Sequence, residues 1–299
     1  MTAIQESPIP TRESWLQDRM SGIGASESPA VLGLSPWKSP FQLWAEKTGH
    51  VEPDSLEGNE PAEFGIRLEK PIAEAFADRT GREVNMWPAF QLVRDPATPW
   101  LTCTPDATQE VPDRDTGLVQ IKTASAYKSA DWADGIPLMY LVQVNHEMMV
   151  TGYSWGTLVV LIGGQKLRYF DFERNDRFIE ALLPKLAAFW KCVETRTPPE
   201  VDGSLATAKI LARLHPEDTG ETVMLPVEAS EWTEQIESAK EAIKAAEAAK
   251  VAAENLLKSK LGDASYGLLP DGSRWSWKTQ TRKENIVAES TFRVLRKCK

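Results

Sequence analysis

Thr104-Pro105-Asp106 and, after ten further residues, Gly117-Leu118-Val119-Gln120-Ile121-Lys122-Thr123 decide how this chain is read. Asp106 follows the end of an apolar, strand-like run, Trp100–Thr104. Gln120 and Lys122 stand two apart on the next strand, so both side chains leave the same face. Lys122 interrupts an otherwise apolar run, and a lysine so placed either snorkels to water or serves a site. An acid on one strand, with an amide or acid and a lysine on the next, can hold a divalent ion beside a scissile phosphate. The ion polarises the phosphoryl oxygen and lowers the pKa of an attacking water. The lysine orients that water or stabilises the charge of the pentavalent state. Taken alone, Asp-x13-Gln-x-Lys is a weak signal, because strand edges carry such residues for purely structural reasons.

Working outward, the flanking segments predict a mixed α/β order. Ser39–Lys47 (SPFQLWAEK) reads as a short amphipathic helix ended at Gly49. Phe64–Arg79 is a longer helix with Leu68, Ile72, Ala75 and Phe76 on one face; Pro71 is expected in its first turn or at a kink. Three strand-like runs follow, Val84–Val93, Trp100–Thr104 and Leu118–Thr123. Leu138–Thr151 is a helix ending at Gly152. Thr157–Ile162 is continuously apolar, as in the middle of a sheet, and Leu167–Phe172 alternates as its neighbour. Asp176–Val193 closes this part as a helix. The order implies a sheet with helices on both faces. Glu110, Asp113 and Asp115 are expected in a solvated loop between strands, and His146 as a structural hydrogen bonder. Trp37 and Trp44 are expected to pack in core and loop.

The 299 residues suffice for one large domain or two ordinary ones. No apolar run reaches the length of a membrane-spanning helix, and MTAIQESPIPTRESW does not read as a secretory leader. Cys103, Cys192 and Cys298 are far apart, give no metal spacing and fit a reducing cytoplasm. A net charge of -9 argues against a nucleic-acid binder working by bulk charge, though not against an enzyme with a local basic groove.

Composition changes near residue 200. The sequence divides into 1–203, a connector 204–229 and an accessory region 230–299. Ser230 to Leu261 is an alanine-, glutamate- and lysine-rich helix, with Ser230 as cap and Gly262 as stop. It packs on its own domain, on a partner helix or, less readily for so alanine-rich a stripe, as a coiled coil. Gly267–Trp277 reads as a hairpin turning at Asp271-Gly272, with Trp275 and Trp277 on one face. The last 29 residues carry eight Lys/Arg against three acids; they either touch phosphates or form a solvated tail.

Further motifs bear on the central stretch: Arg19 and Ser26 around GIGASE, LGLSPWKSPFQLWAEKTG (32–49), GIRLEKPIAEAF (65–76) with Glu69, TPDAT (104–108), VQIKT (119–123) and VQVNHEMMVTG (142–152) with Gln143. In this order they resemble the YqaJ-like viral recombinases, the phage lambda-type exonuclease branch of the PD-(D/E)XK nuclease superfamily. The resemblance covers roughly residues 12–200. It implies a restriction-endonuclease-like core, a mixed central sheet flanked by helices, with the long helix and hairpin appended. It implies a 5′→3′ exonuclease that resects one strand of duplex DNA and leaves a 3′ overhang for recombination. Its cofactor would be Mg²⁺, with Mn²⁺ as a substitute. Carried over, Asp106 is the central metal ligand, Gln120 the second ligand with the Ile121 carbonyl beside it, and Lys122 the catalytic lysine. Glu69 completes the metal site or positions water, and Gln143 lies near the scissile phosphate. Arg19, Ser26 and Thr104 form the pocket for a terminal 5′-phosphate, a role that a guanidinium and two hydroxyls suit. Gly24-Ala25-Ser26 leading into a helix would add free backbone N–H groups. The resemblance also implies a trimeric ring around DNA, a single-strand annealing protein as partner, and the cytoplasm of a bacterial host. Where the family commonly has Glu, this chain has Gln120, which removes one negative charge. That departure keeps two alternatives open: an endonuclease that needs no 5′ end, and a catalytically quiet DNA-binding subunit.

Overall fold

Leu118, Val119, Gln120 and Ile121 are all buried in succession, which a strand achieves only in the middle of a sheet covered on both faces. The computed structural model describes residues 10–55, 58–282, 289 and 291–296. It divides into two units, Met1–Pro216 and Glu217–Lys299.

In the first unit, Thr11 caps α1 (Arg12–Met20) by accepting from the Ser14 N–H. β1 (Ile23–Gly24) and the short α2 (Ser28–Val31) follow. Ser39 caps α3 (Pro40–Lys47), with proline at the first helical position. Asn59 caps α4 (Glu60–Thr80), which starts four residues earlier than the apolar pattern alone suggests and ends at Gly81 with φ 69°. Pro71 lies neither in the first turn nor near an end of α4. It is exposed, so water can take the carbonyl that its missing N–H leaves, while Ile72, Ala73 and Phe76 anchor the buried face.

Next come β2 (Glu83–Met86), β3 (Val93–Arg94), β4 (Leu101–Cys103), β5 (Ala107–Val111), β6 (Arg114–Ala124), α5 (Leu138–Thr151), β7 (Trp155–Ile162), β8 (Lys166–Glu173), α6 (Asp176–Glu194) and α7 (Leu205–Leu214). The run Val84–Val93 is two strands in two sheets, because Pro88 lacks a ladder donor and Phe90 turns the chain at φ 63°. β5 was hidden in the sequence by its polar residues; it carries Glu110, and Asp115 lies on β6, so neither is in a loop. Asp113 turns between them at φ 61°.

The main sheet runs β2-β5-β6-β7-β8 and a smaller one β1-β4-β3. In the main sheet β6 and β7 are parallel, with Gln120 opposite Leu158 and Lys122 opposite Val160; the other pairs are antiparallel. A parallel pair needs a crossover, and α5 provides it. Ile72, Ala73 and Phe76 of α4 pack with Val119, Ile121 and Val159. Val144 of α5 packs with Leu158, Val160, Ile162 and Trp132. The result is the mixed sheet flanked by helices that the sequence implied.

The connector expected at 204–229 is partly structured. α7 docks in the first unit through buried Ile210 and the Thr207 hydroxyl, which donates to Ser39 Oγ at 2.8 Å. Its apolar periodicity was masked by the neighbouring prolines and glycine. In the second unit, α8 (Ala229–Leu261) opens at Glu228, with no side-chain cap from Ser230. β9 (Tyr266–Leu268) and β10 (Arg274–Ser276) form the expected hairpin, with Gly272 at φ 85°. Lys283, Glu284, Lys297, Cys298 and Lys299 of the basic tail lie outside the described residues, as does the start of the chain through residue 9. Among the described residues, no helix is long and apolar enough to cross a membrane.

Candidate active site

Asp106 stands one residue before β5, and the Ala107–Val119 register carries it opposite Gln120. Its Oδ2 accepts the Ile121 N–H at 2.7 Å and a hydrogen bond from Gln120 Nε2. Gln120 Oε1 in turn accepts from Gln143 Nε2 at 3.1 Å. The same nitrogen donates to Glu147 Oε1 at 2.9 Å. Lys122 shares the Gln120 face of β6, and its Nζ sits 5.6 Å from the Tyr140 ring centre. Asp106, Gln120, Lys122, Gln143 and Glu147 line a cleft of about 150 Å³. Ile121 turns its side chain to the opposite face, against the α4 core, leaving only its backbone near Asp106. Glu69, on α4, does not line this cleft but is close enough to exchange electrostatic influence with Asp106 and Lys122.

Arg19, Ser26 and Thr104 form another wall of the same cleft. Arg19 Nη2 lies 3.2 Å from Glu27 Oε1 and 3.5 Å from Ser26 Oγ, with its guanidinium 4.8 Å from the Trp15 ring centre. Trp15 Nε1 donates to Thr104 Oγ1 at 2.9 Å. Glu27 organises this wall. Burial pushes its carboxyl up, but Lys47 at 2.8 Å and Arg19 outweigh that and hold it at about 2. Lys47 also donates to the Arg19 carbonyl at 2.6 Å, tying α3 to the end of α1. The Gly24 N–H, expected to be free, donates to Glu27 Oε2 at 2.8 Å.

The YqaJ-like viral recombinase domain model matches residues 14–154. A Bacillus subtilis protein, YqaJ, described as uncharacterized, is 33% identical over 264 residues, covering 87% of this chain and 81% of its own. The chain belongs to the YqaJ-like family. Its fold matches the crystal structure of LHK-Exo, an alkaline exonuclease from Laribacter hongkongensis, in complex with dAMP. That match has a TM-score of 0.52 and 22% identity, covering 67% of this chain and 96% of the other. A second structure of LHK-Exo aligns with a TM-score of 0.49 at 18% identity over 68% of this chain and 100% of the other. The chain thus shares the family of the viral recombinase domains and the fold of that exonuclease structure.

Carboxyl groups are crowded in and beside the cleft of this YqaJ-like chain. Burial pushes Glu147 up to about 8, and Asp106 adds to the shift against Gln143 and Lys122. Glu69 is pushed up to about 7 by the same two influences, burial first. Asp106 is itself raised by its enclosure, against Lys122 and its two hydrogen bonds. Among the described residues, no three His, Cys, Asp or Glu side chains converge on one point. Mg²⁺ does not require that: it is held by one or two carboxylates and completes its shell with water and phosphate oxygens. Asp106, a second acid, the Gln120 amide and the Ile121 carbonyl are all hard oxygen donors and fit such an ion. For Gln120 to join, its amide must turn over, since its nitrogen now faces Asp106.

These shifts predict a pH-dependent stability. A folded carboxyl with a raised pKa keeps a proton that the unfolded chain releases, so stability falls as pH rises toward the folded value. His146 works in the opposite sense: burial depresses it to about 4, and its contribution is complete above its ordinary value of 6.5. Between about pH 6.5 and 8 the carboxyls act alone. Thermal denaturation in EDTA should show the melting temperature falling across that window, and Glu147→Gln should flatten the fall.

Sequence reasoning missed Glu147, Glu27 and Trp15. Glu147 was legible as the residue one helical turn beyond Gln143. His146 is fully buried with Nδ1 2.5 Å from Ser28 Oγ, which is the structural role expected of it. Trp44 is buried and donates to the Cys192 carbonyl, whereas Trp37 is 69% exposed and packs in no core.

Proposed function

We propose that this chain is a metal-dependent 5′→3′ exonuclease that resects one strand of duplex DNA and leaves 3′ overhangs for strand annealing. The observation that carries the reading is that the Asp106–Gln120–Lys122–Gln143 group and the Arg19–Ser26–Thr104 group line one cleft. A cutting centre and an end-binding pocket in one cleft suit removal of nucleotides from a terminus.

In this reading Asp106, Gln120 and the Ile121 carbonyl hold Mg²⁺, or Mn²⁺ in its place. Such an ion, when bound, would supply a water of lowered pKa and positive charge beside the phosphate. Lys122 orients that water and offsets charge in the pentavalent state. Gln143 links the Gln120 and Glu147 side chains at the cleft wall through its amide. Glu69, on α4 behind the cleft, completes the charge balance of the metal site through its influence on Asp106 and Lys122. Arg19, Ser26 and Thr104 hold the 5′-phosphate, with Glu27 and Trp15 setting the guanidinium plane. The duplex end is the substrate, a single-strand annealing protein the partner, a trimeric ring the assembly, and the bacterial host cytoplasm the setting.

Digestion of linear duplex DNA labelled at either end, beside a covalently closed circle, tests the reading. Mg²⁺-dependent loss from 5′ ends with the circle spared is expected, and Arg19→Ala should erase the preference for 5′-phosphate over 5′-hydroxyl. Cutting of the circle would establish an endonuclease instead. DNA binding without digestion, even with Mn²⁺, would make Gln120 the mark of a retired site.

A further inference from the structure

The proposed metal site has an unequal donor set. Asp106 brings a charge, but its partner across the strands, Gln120, brings a neutral amide. A divalent cation next to one carboxylate and one lysine is poorly compensated. Charge for such an ion has to come from another element.

Glu147 has the right position. It is 2% exposed, yet it lines the cleft together with Asp106 and Gln120. Its Oε1 and Gln120 Oε1 both lie within 3.1 Å of Gln143 Nε2, so one amide group bridges the neutral donor and the acid. Two other enclosed acids of this unit have cations, Glu46 with Lys38 and Glu27 with Lys47 and Arg19, whereas Asp106, like Glu147, has none at salt-bridge distance among the described residues. Among the described residues, no Lys, Arg or His makes a salt bridge with Glu147. A buried acid held only by an amide is costly unless a positive charge joins it.

Resting on the exonuclease reading above, we infer that Glu147 supplies the second acidic charge of the metal site, replacing from helix α5 the charge that Gln120 does not bring from strand β6. The two residues are one functional pair, an acid and an amide joined through Gln143. The charge is then transferable: an acid at 120 with an amide at 147 should serve as well.

The test uses the full chain without DNA and Mn²⁺ as probe, with binding followed by calorimetry and by electron paramagnetic resonance. Melting in EDTA establishes that each variant is folded. Glu147→Gln should weaken Mn²⁺ binding about 10–100-fold, the range seen when groups supporting a metal site are lost. The exchanged variant Gln120→Glu/Glu147→Gln should recover wild-type affinity. Wild-type affinity in Glu147→Gln would overturn the inference. So would an exchanged variant that folds yet stays weak, because the loss would then be one of shape and not of charge. If Glu147→Gln does not fold, the exchanged variant alone decides by the same criterion. A wild-type chain that binds no Mn²⁺ fails at an earlier point and overturns the metal-dependent reading itself.

Discussion

Asp106→Asn should abolish cleavage, with a fall on the order of 10³-fold or more, while the melting temperature stays level or rises. The two halves of this expectation have one cause. Asp106 Oδ2 is the point on which the Ile121 N–H and Gln120 Nε2 converge, and an enclosed carboxylate there is held above its ordinary range. Asparagine has nearly the same shape, so packing is kept. It removes an ionisable group that the fold disfavours, so the metal-free protein loses nothing by the change. In the proposed reading it also removes the charge that fixes a cation, so cleavage should stop. Activity assays and thermal denaturation on the same preparation check this. A variant that loses activity and stability in parallel would show Asp106 to be structural.

Lys122→Ala should lower the cleavage rate about 10²–10³-fold and leave Mn²⁺ binding and duplex affinity near wild type. Lys122 makes no salt bridge among the described residues, and its ammonium stands over Tyr140 at the cleft. In the proposed mechanism its contribution is to charge that develops during the reaction, which a binding measurement does not register. Lys122→Arg should not rescue the rate, because a planar fork cannot substitute for a compact, mobile ammonium. Single-turnover cleavage with saturating enzyme separates this effect from binding, and an unchanged rate in Lys122→Ala would remove the lysine from the mechanism.

Much of this arrangement was legible in the sequence because its elements are short and clearly bounded. Helix α5 coincides with the expected Leu138–Thr151, since Pro137 and Gly152 mark both ends. The strand with Gln120 and Lys122 was visible because apolar neighbours bracket both. β5 was not, because Thr108, Gln109 and Glu110 satisfy no simple alternation; Gln109 is buried by hydrogen bonds to the Leu118 carbonyl and to Thr157. Glu147 stands one turn beyond Gln143 on the same helix face, but nothing local marks it as a member of the site: Asp106 and Gln120, which line the cleft with it, lie on other elements. Arg19 was identified, but the Glu27–Lys47 pair that orients it depends on how α3 packs.

The parallel pairing of β6 with β7 has one more consequence. The crossover that this pairing demands is α5, so the covalent path between the two central strands runs through Gln143 and Glu147. The helix cannot peel away without also uncovering Leu158 and Val160 at the middle of the sheet. Loss of this wall therefore exposes part of the central core, so Gln143 and Glu147 are held by the same packing as the sheet. The opposite wall is different: α1, which carries Trp15 and Arg19, has no buried residue. The cleft thus joins a wall anchored in the core of the unit to one held by surface contacts.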